Sequence, residues 1–141
     1  MSTFRAAYPS AANSARDARR ALVAFAQTAG FDGPELQELE LAIGEALANA
    51  VEHGHAFGGS VEVSASFSSE VITIEIKDNG SGFKAWEDPA ARPRAASSPR
   101  GFGIHIMRAT VDHVRFLDGG TRVVLTKRAG VGTVASDRRE A

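Results

Sequence analysis

The sequence predicts an α+β fold of two layers, with helices on one face of a mostly antiparallel sheet. Three observations carry this. Two early stretches repeat apolar residues at helical spacing, four later ones alternate apolar with polar residues as strands do, and their order runs helix, helix, strand, strand, loop, helix, strand, strand. The length of 141 residues fits one domain with a core of its own.

Residues 3–8 are expected to form a short first strand. Ser10 is expected to cap a helix running from Ala11 to Ala29, with Ala18, Leu22, Phe25 and Ala26 on its apolar side and Gly30 as its stop. Pro34 suits the first turn of a second helix, where a missing N–H goes unnoticed, and this helix is expected to reach His53. Leu36, Leu39, Ile43, Leu47 and Ala50 make its apolar stripe. At about 100° per residue, Glu45 stands nearly opposite that stripe and Asn49 one turn further along the same polar face.

Two strands follow. Ser60–Ser68 alternates Val61, Val63, Ala65 and Phe67 with polar residues, and Val71–Asp78 places Ile72, Ile74 and Ile76 on one side. The short link between them predicts an antiparallel hairpin. Lys84 to Arg100 carries Pro89, Pro93 and Pro99 and is expected to be a loop able to close over a ligand. A third helix is expected over Ile104–Val111. A second hairpin, Val114–Leu117 with Thr121–Lys127, is expected around Asp118-Gly119-Gly120. Domain 1–128 is expected to end in a frayed tail over 129–141.

Composition removes several classes. Without cysteine there is no disulfide scaffold and no thiolate metal site, which suits a reducing, cytoplasmic setting. With 16 Lys+Arg against 17 Asp+Glu, the chain lacks the basic footprint of a nucleic-acid binder. No apolar run approaches the roughly 20 residues of a membrane span, and no signal peptide is evident at the start.

The remaining chemistry concentrates at three places. Glu45 and Asn49 pair a possible base with a hard oxygen ligand of the kind magnesium accepts. Small neighbours (Gly44, Ala46, Ala48, Ala50) let a ligand or another backbone approach them. Taken alone, such a pair is more often a solvated helix face. Asp78 opens Asp-Asn-Gly-Ser-Gly, ordinary turn chemistry that also suits a carboxylate accepting from an amine, with Gly80 and Gly82 leaving room for a flat ring. Arg100-Gly101-Phe102-Gly103 opens a helix whose free N–H groups would favour phosphate. His53, His55, His105 and His113 form no metal set by spacing.

In this order the three places resemble the Bergerat ATP-binding fold of gyrase, histidine kinases and MutL, a mixed, mostly antiparallel sheet under helices. More closely, the runs from Gly44 to Gly54 and from Gly101 to Asp112 look like those of the bacterial anti-sigma-factor serine kinases, over about residues 3–128. The resemblance implies that Asn49 coordinates Mg²⁺ on ATP and that Glu45 is the general base. It implies that Asp78 accepts from adenine, helped by Gly80, Gly82 and a water shared with Thr121. Gly101, Phe102 and Gly103 would hold the phosphates. His53, Phe83 and Ile104 would also line the nucleotide, and Lys84 or Arg100 would reach the γ-phosphate. The implied partners are an anti-anti-sigma regulator of the STAS type, phosphorylated on serine or threonine, a sigma factor, and a second copy of the chain. The competing expectations are a nucleotide-binding switch that transfers no phosphate and a histidine-kinase-like ATPase.

Overall fold

The computed structural model describes residues 1–54, 59–79 and 103–130, with the backbone alone at 12, 53 and 54. Eight elements follow in chain order. They are β1 (Ser2–Pro9), α1 (Ala12–Ala29), α2 (Gly33–Gly54), β2 (Ser60–Ser68), β3 (Val71–Asp78), α3 (Gly103–Thr110), β4 (His113–Leu117) and β5 (Arg122–Arg128). The strands make one sheet in the order β1-β2-β3-β5-β4, and every described pairing is antiparallel. The α+β class and both hairpins match the sequence reading.

The register puts one apolar face together. Tyr8 faces Val61, Ala6 faces Val63 and Phe4 faces Ala65. Val63 then faces Ile76 and Ala65 faces Ile74. Ile74 and Ile76 face Leu125 and Val123, which in turn face Val114 and Phe116. Because side chains alternate along a strand, these rows share one side of the sheet. They meet Leu22 and Ala26 of α1, Leu39, Ile43 and Leu47 of α2, and Met107 of α3 in a single core. Burying a Leu or Ile side chain contributes about 1.5–3 kcal/mol, so this shared face is the main stabilising term.

Local signals explain the ends. Gly30 terminates α1 at φ +112°, a left-handed conformation that favours glycine, and its N–H bonds back to the last turn. The start of α1 departs from expectation. Ala11 occupies the cap position with no side-chain hydrogen bond, while the Ser10 hydroxyl donates a long 3.5 Å bond to the Val51 carbonyl of α2. Ser10 is drawn across to the neighbouring helix and is not the cap. The β4–β5 turn uses Asp118, Gly119 and Gly120, all at positive φ. Beyond β5, the Ala129 N–H donates to the Glu70 carbonyl at 2.7 Å. The tail from 131 onward and the 84–100 loop lie outside the described residues.

Candidate functional site

The site forms where α2 crosses the ends of β3 and β5. Asp78 is the last residue of β3 and points to the apolar face, as Ile72, Ile74 and Ile76 do before it. It is only 4% exposed. A carboxylate is costly to bury unless its oxygens are hydrogen-bonded or paired. Its backbone is held from both sides. Asp78 N–H donates to the Thr121 carbonyl at 2.8 Å. The next residue, Asn79, accepts from the Ser60 N–H through its side-chain oxygen at 3.1 Å.

A narrow, mostly apolar cleft opens above Asp78. Ala46, Asn49 and Ala50 of α2 form one wall. Ile76, Asp78 and Val123 of the sheet form the floor. Met107, Phe116, Gly120 and Thr121 close the rest. The cleft is tight, about 10 Å³, which is room for a single water, so a ring would enter only if the walls part. Its buried carboxylate and its amide are the polar groups that an amine-bearing ring would meet there. Among the residues expected from sequence, the fold therefore brings Asn49, Asp78 and Thr121 to one cleft. The Thr121 hydroxyl donates to the Asp118 carbonyl at 2.9 Å, which leaves its lone pairs for a ligand.

Glu45 lies one turn before Asn49 and is half-buried. What covers it is the start of α3. A Cβ placed on Gly103 would lie 2.7 Å from Glu45 Oε1, so a side chain there would push the carboxylate from its present position. On its other side Glu45 borders an open groove with Arg19, Gln37, Glu40, Leu41 and Gly44. The carboxylate thus stands between the start of α3 and a surface reachable from solvent. Ile104 follows Gly103, and its half-buried side chain packs against the core. His53 falls in the last turn of α2, and its side chain is not described. Gly80, Gly82, Phe83, Lys84, Arg100, Gly101 and Phe102 lie outside the described residues.

Among the described residues no three His, Asp or Glu side chains gather as a metal cage. Asn49 offers one hard oxygen in the cleft, a ligand type that magnesium accepts when phosphates and waters complete its shell. Ala46 and Ala50 stand among the small neighbours expected to let a ligand approach, whereas sequence reading missed Ile76, Met107, Phe116 and Val123 as cleft walls, because an apolar residue lining a cleft has the same pattern as one filling a core.

The histidine kinase-like ATPase domain matches residues 8–127 of this chain. An anti-sigma F factor from Clostridium perfringens is 31% identical over 103 residues, 67% of this chain and 73% of that protein. A serine-protein kinase RsbW from Bacillus licheniformis is 28% identical over 119 residues, 77% of this chain and 74% of that protein. A crystal structure of the RsbU and RsbW domains of Rv1364c from Mycobacterium tuberculosis superposes with a TM-score of 0.67. That likeness covers 92% of this chain and 32% of the solved chain at 21% identity, and it speaks to the fold. No helix among the described residues is long and apolar enough to cross a membrane. The buried Asp78, the Asn49 cleft and the Glu45–Gly103 contact accompany a match that runs from β1 to β5, and the chain belongs to the histidine kinase-like ATPase domain family.

Proposed function

We propose that this protein is an ATP-dependent protein-serine kinase and anti-sigma factor, working as a partner switch. It would phosphorylate a serine or threonine of a STAS-type anti-anti-sigma regulator and sequester a sigma factor. It would act as a cytoplasmic homodimer with no direct contact to nucleic acid. The names of its relatives support the partner-switching class. The near-neutral net charge of −1 is in keeping with protein partners and not nucleic acid.

One observation carries the catalytic reading. Asp78 and Asn49 share a cleft, while Glu45, one turn away, faces both the start of α3 and an open groove. Adenine would enter the cleft with its amino group donating to Asp78. Thr121 would accept through its hydroxyl, directly or by way of water. The phosphates would then run past Asn49 towards the N–H groups of α3. Asn49 would hold magnesium, which supplies charge neutralisation between the phosphates. Glu45 would accept the proton of the incoming hydroxyl as its oxygen bonds to the γ-phosphorus. The bond from that phosphorus to the β–γ bridging oxygen breaks, and ADP leaves with the electron pair. Most of the work in such a transfer is positioning and electrostatics, which backbone N–H groups on a packed helix supply without reorganisation.

The test uses γ-labelled ATP, magnesium and a STAS-type anti-anti-sigma protein from the same organism as the regulator. Label is expected on a serine or threonine of the regulator, and it should vanish in Glu45→Ala while ATP binding survives. Binding of the regulator with no transfer by the native protein would instead make it a non-catalytic switch. Label on a histidine would place it with the histidine kinases.

A further inference from the structure

Asp78 is not the only charged side chain on the apolar face of the sheet. Lys127 of β5 faces Ile72 of β3 and is 8% exposed. An ammonium at such a place is costly, and an apolar chain of similar size would be cheaper unless its hydrogen bonds are used. They are used. Nζ donates to the Thr110 carbonyl at 2.8 Å and to Glu38 Oε1 at 3.2 Å. Thr110 is the last residue of α3, so its carbonyl is one of the four that an α-helix leaves unpaired.

The same two helices also touch through Glu45, midway along α2, and Gly103, the first residue of α3. Glu38 and Glu45 are seven residues apart on α2, and Gly103 and Thr110 are seven apart on α3. Each interval spans about 10.5 Å at 1.5 Å per residue. The helices therefore run antiparallel, and two contacts of equal spacing set how one slides along the other. Past the Lys127 end of α3 the chain is tied to β5, where Asp112 N–H donates to the Thr126 carbonyl at 2.9 Å. Asp112 Oδ2 also accepts from Arg128 N–H at 2.7 Å.

We infer that Lys127 is a positioning residue for the phosphate end of the site. By tying the last carbonyl of α3 to Glu38, it fixes the axial position of α3 on α2. It thereby fixes where the N–H groups at Gly103 stand relative to Glu45 and Asn49. Lys127 touches neither nucleotide nor substrate. The inference rests on the nucleotide reading above, and it makes a claim which that reading does not. Loss of the tie should harm recognition of the phosphates far more than recognition of adenosine, because Asp78 and Thr121 are not on α3 and, among the described lining residues of the cleft, only Met107 is.

The experiment measures Kd for ATP with magnesium and for adenosine, by calorimetry, in the full chain and in Lys127→Met. ATP affinity should fall about tenfold, the size expected for losing a hydrogen bond to a charged group, while adenosine affinity stays within about twofold. A general loosening of the fold would weaken both ligands alike and would overturn the inference, as would an unchanged ratio. Should Lys127→Met fail to fold, Glu38→Ala removes the partner from the surface of α2 and is read by the same ratio. A Lys127→Arg variant keeps a donor to Thr110 and should recover part of the ATP preference. If the unaltered protein binds neither ligand, the nucleotide reading itself fails, which is a different result.

Discussion

Gly103 and Glu45 share a space that admits no side chain at position 103 as they stand, since a Cβ there would sit 2.7 Å from the Glu45 carboxylate oxygen. The atom in the way is the end of a flexible side chain, so it can move at little cost. Gly103→Ala should therefore fold with stability within about 1 kcal/mol of the native chain, helped by the better helix propensity of alanine. The displaced carboxylate is a different matter. A shift of about 1 Å at a reacting group costs on the order of a hundredfold in rate, and phosphoryl transfer should fall by about that factor. Thermal unfolding beside a labelled-ATP assay separates the two effects. Native rates in this variant would remove Glu45 from the base role.

Asp78 presents an acceptor at the floor of the cleft and is almost wholly buried. Asp78→Asn keeps the shape and turns one acceptor into a donor, which would face the donating amine of adenine. Losing a hydrogen bond to a charged acceptor is worth about 1.5–3 kcal/mol, so ATP binding should weaken by roughly ten- to a hundredfold. Calorimetry gives the affinity and near-ultraviolet circular dichroism checks the packing. A variant that binds ATP as the native protein does would refute the assignment of adenine to this residue.

Ser10 tests the departure at the start of α1. A true serine cap costs about 1 kcal/mol when replaced by alanine. Here the cap position belongs to Ala11, and the Ser10 hydroxyl makes one long bond to Val51. Ser10→Ala should cost less than about 0.5 kcal/mol in chemical denaturation, because a bond at the limit of hydrogen-bond distance contributes little. A full unit of lost stability would mean that the serine does cap the helix in solution.

These three sites differ in how far their sequence reveals them. The period of α2 is plain, so the polar face bearing Glu45 and Asn49 follows from residue spacing alone. The alternation of β3 likewise carries Asp78 to the apolar side. Half-burial of Glu45 is not legible in the sequence, because it depends on α3 reaching α2 from more than fifty residues away in the chain. Ser10 misleads because serine before a helical run is a common cap. The third residue after it is Asn13, however, where a capping box would place Glu or Gln. Lys127 does leave a trace in the pattern. It follows Val123 and Leu125 at a spacing of two, which puts a charge on the apolar face.

The β2–β3 turn yields a prediction about stability alone. Ser69 and Glu70 link strands whose last pair is Ser68 with Val71, and both turn residues have positive φ, 55° and 65°. That is the conformation of a two-residue hairpin loop for which Asn-Gly is the favoured pair. A left-handed conformation costs an ordinary residue about 1–2 kcal/mol, while glycine gives back about 0.5–1 kcal/mol through the freedom of the unfolded chain. Replacing Ser69 by Asn and Glu70 by Gly together should therefore stabilise the fold by about 0.5–1 kcal/mol. The bond from Ala129 N–H to the Glu70 carbonyl uses backbone only and survives the change. The turn lies at the opposite end of β3 from Asp78, so ATP affinity should not move. Urea unfolding measures the gain. A loss of stability would show that the Ser69 and Glu70 side chains themselves hold the turn.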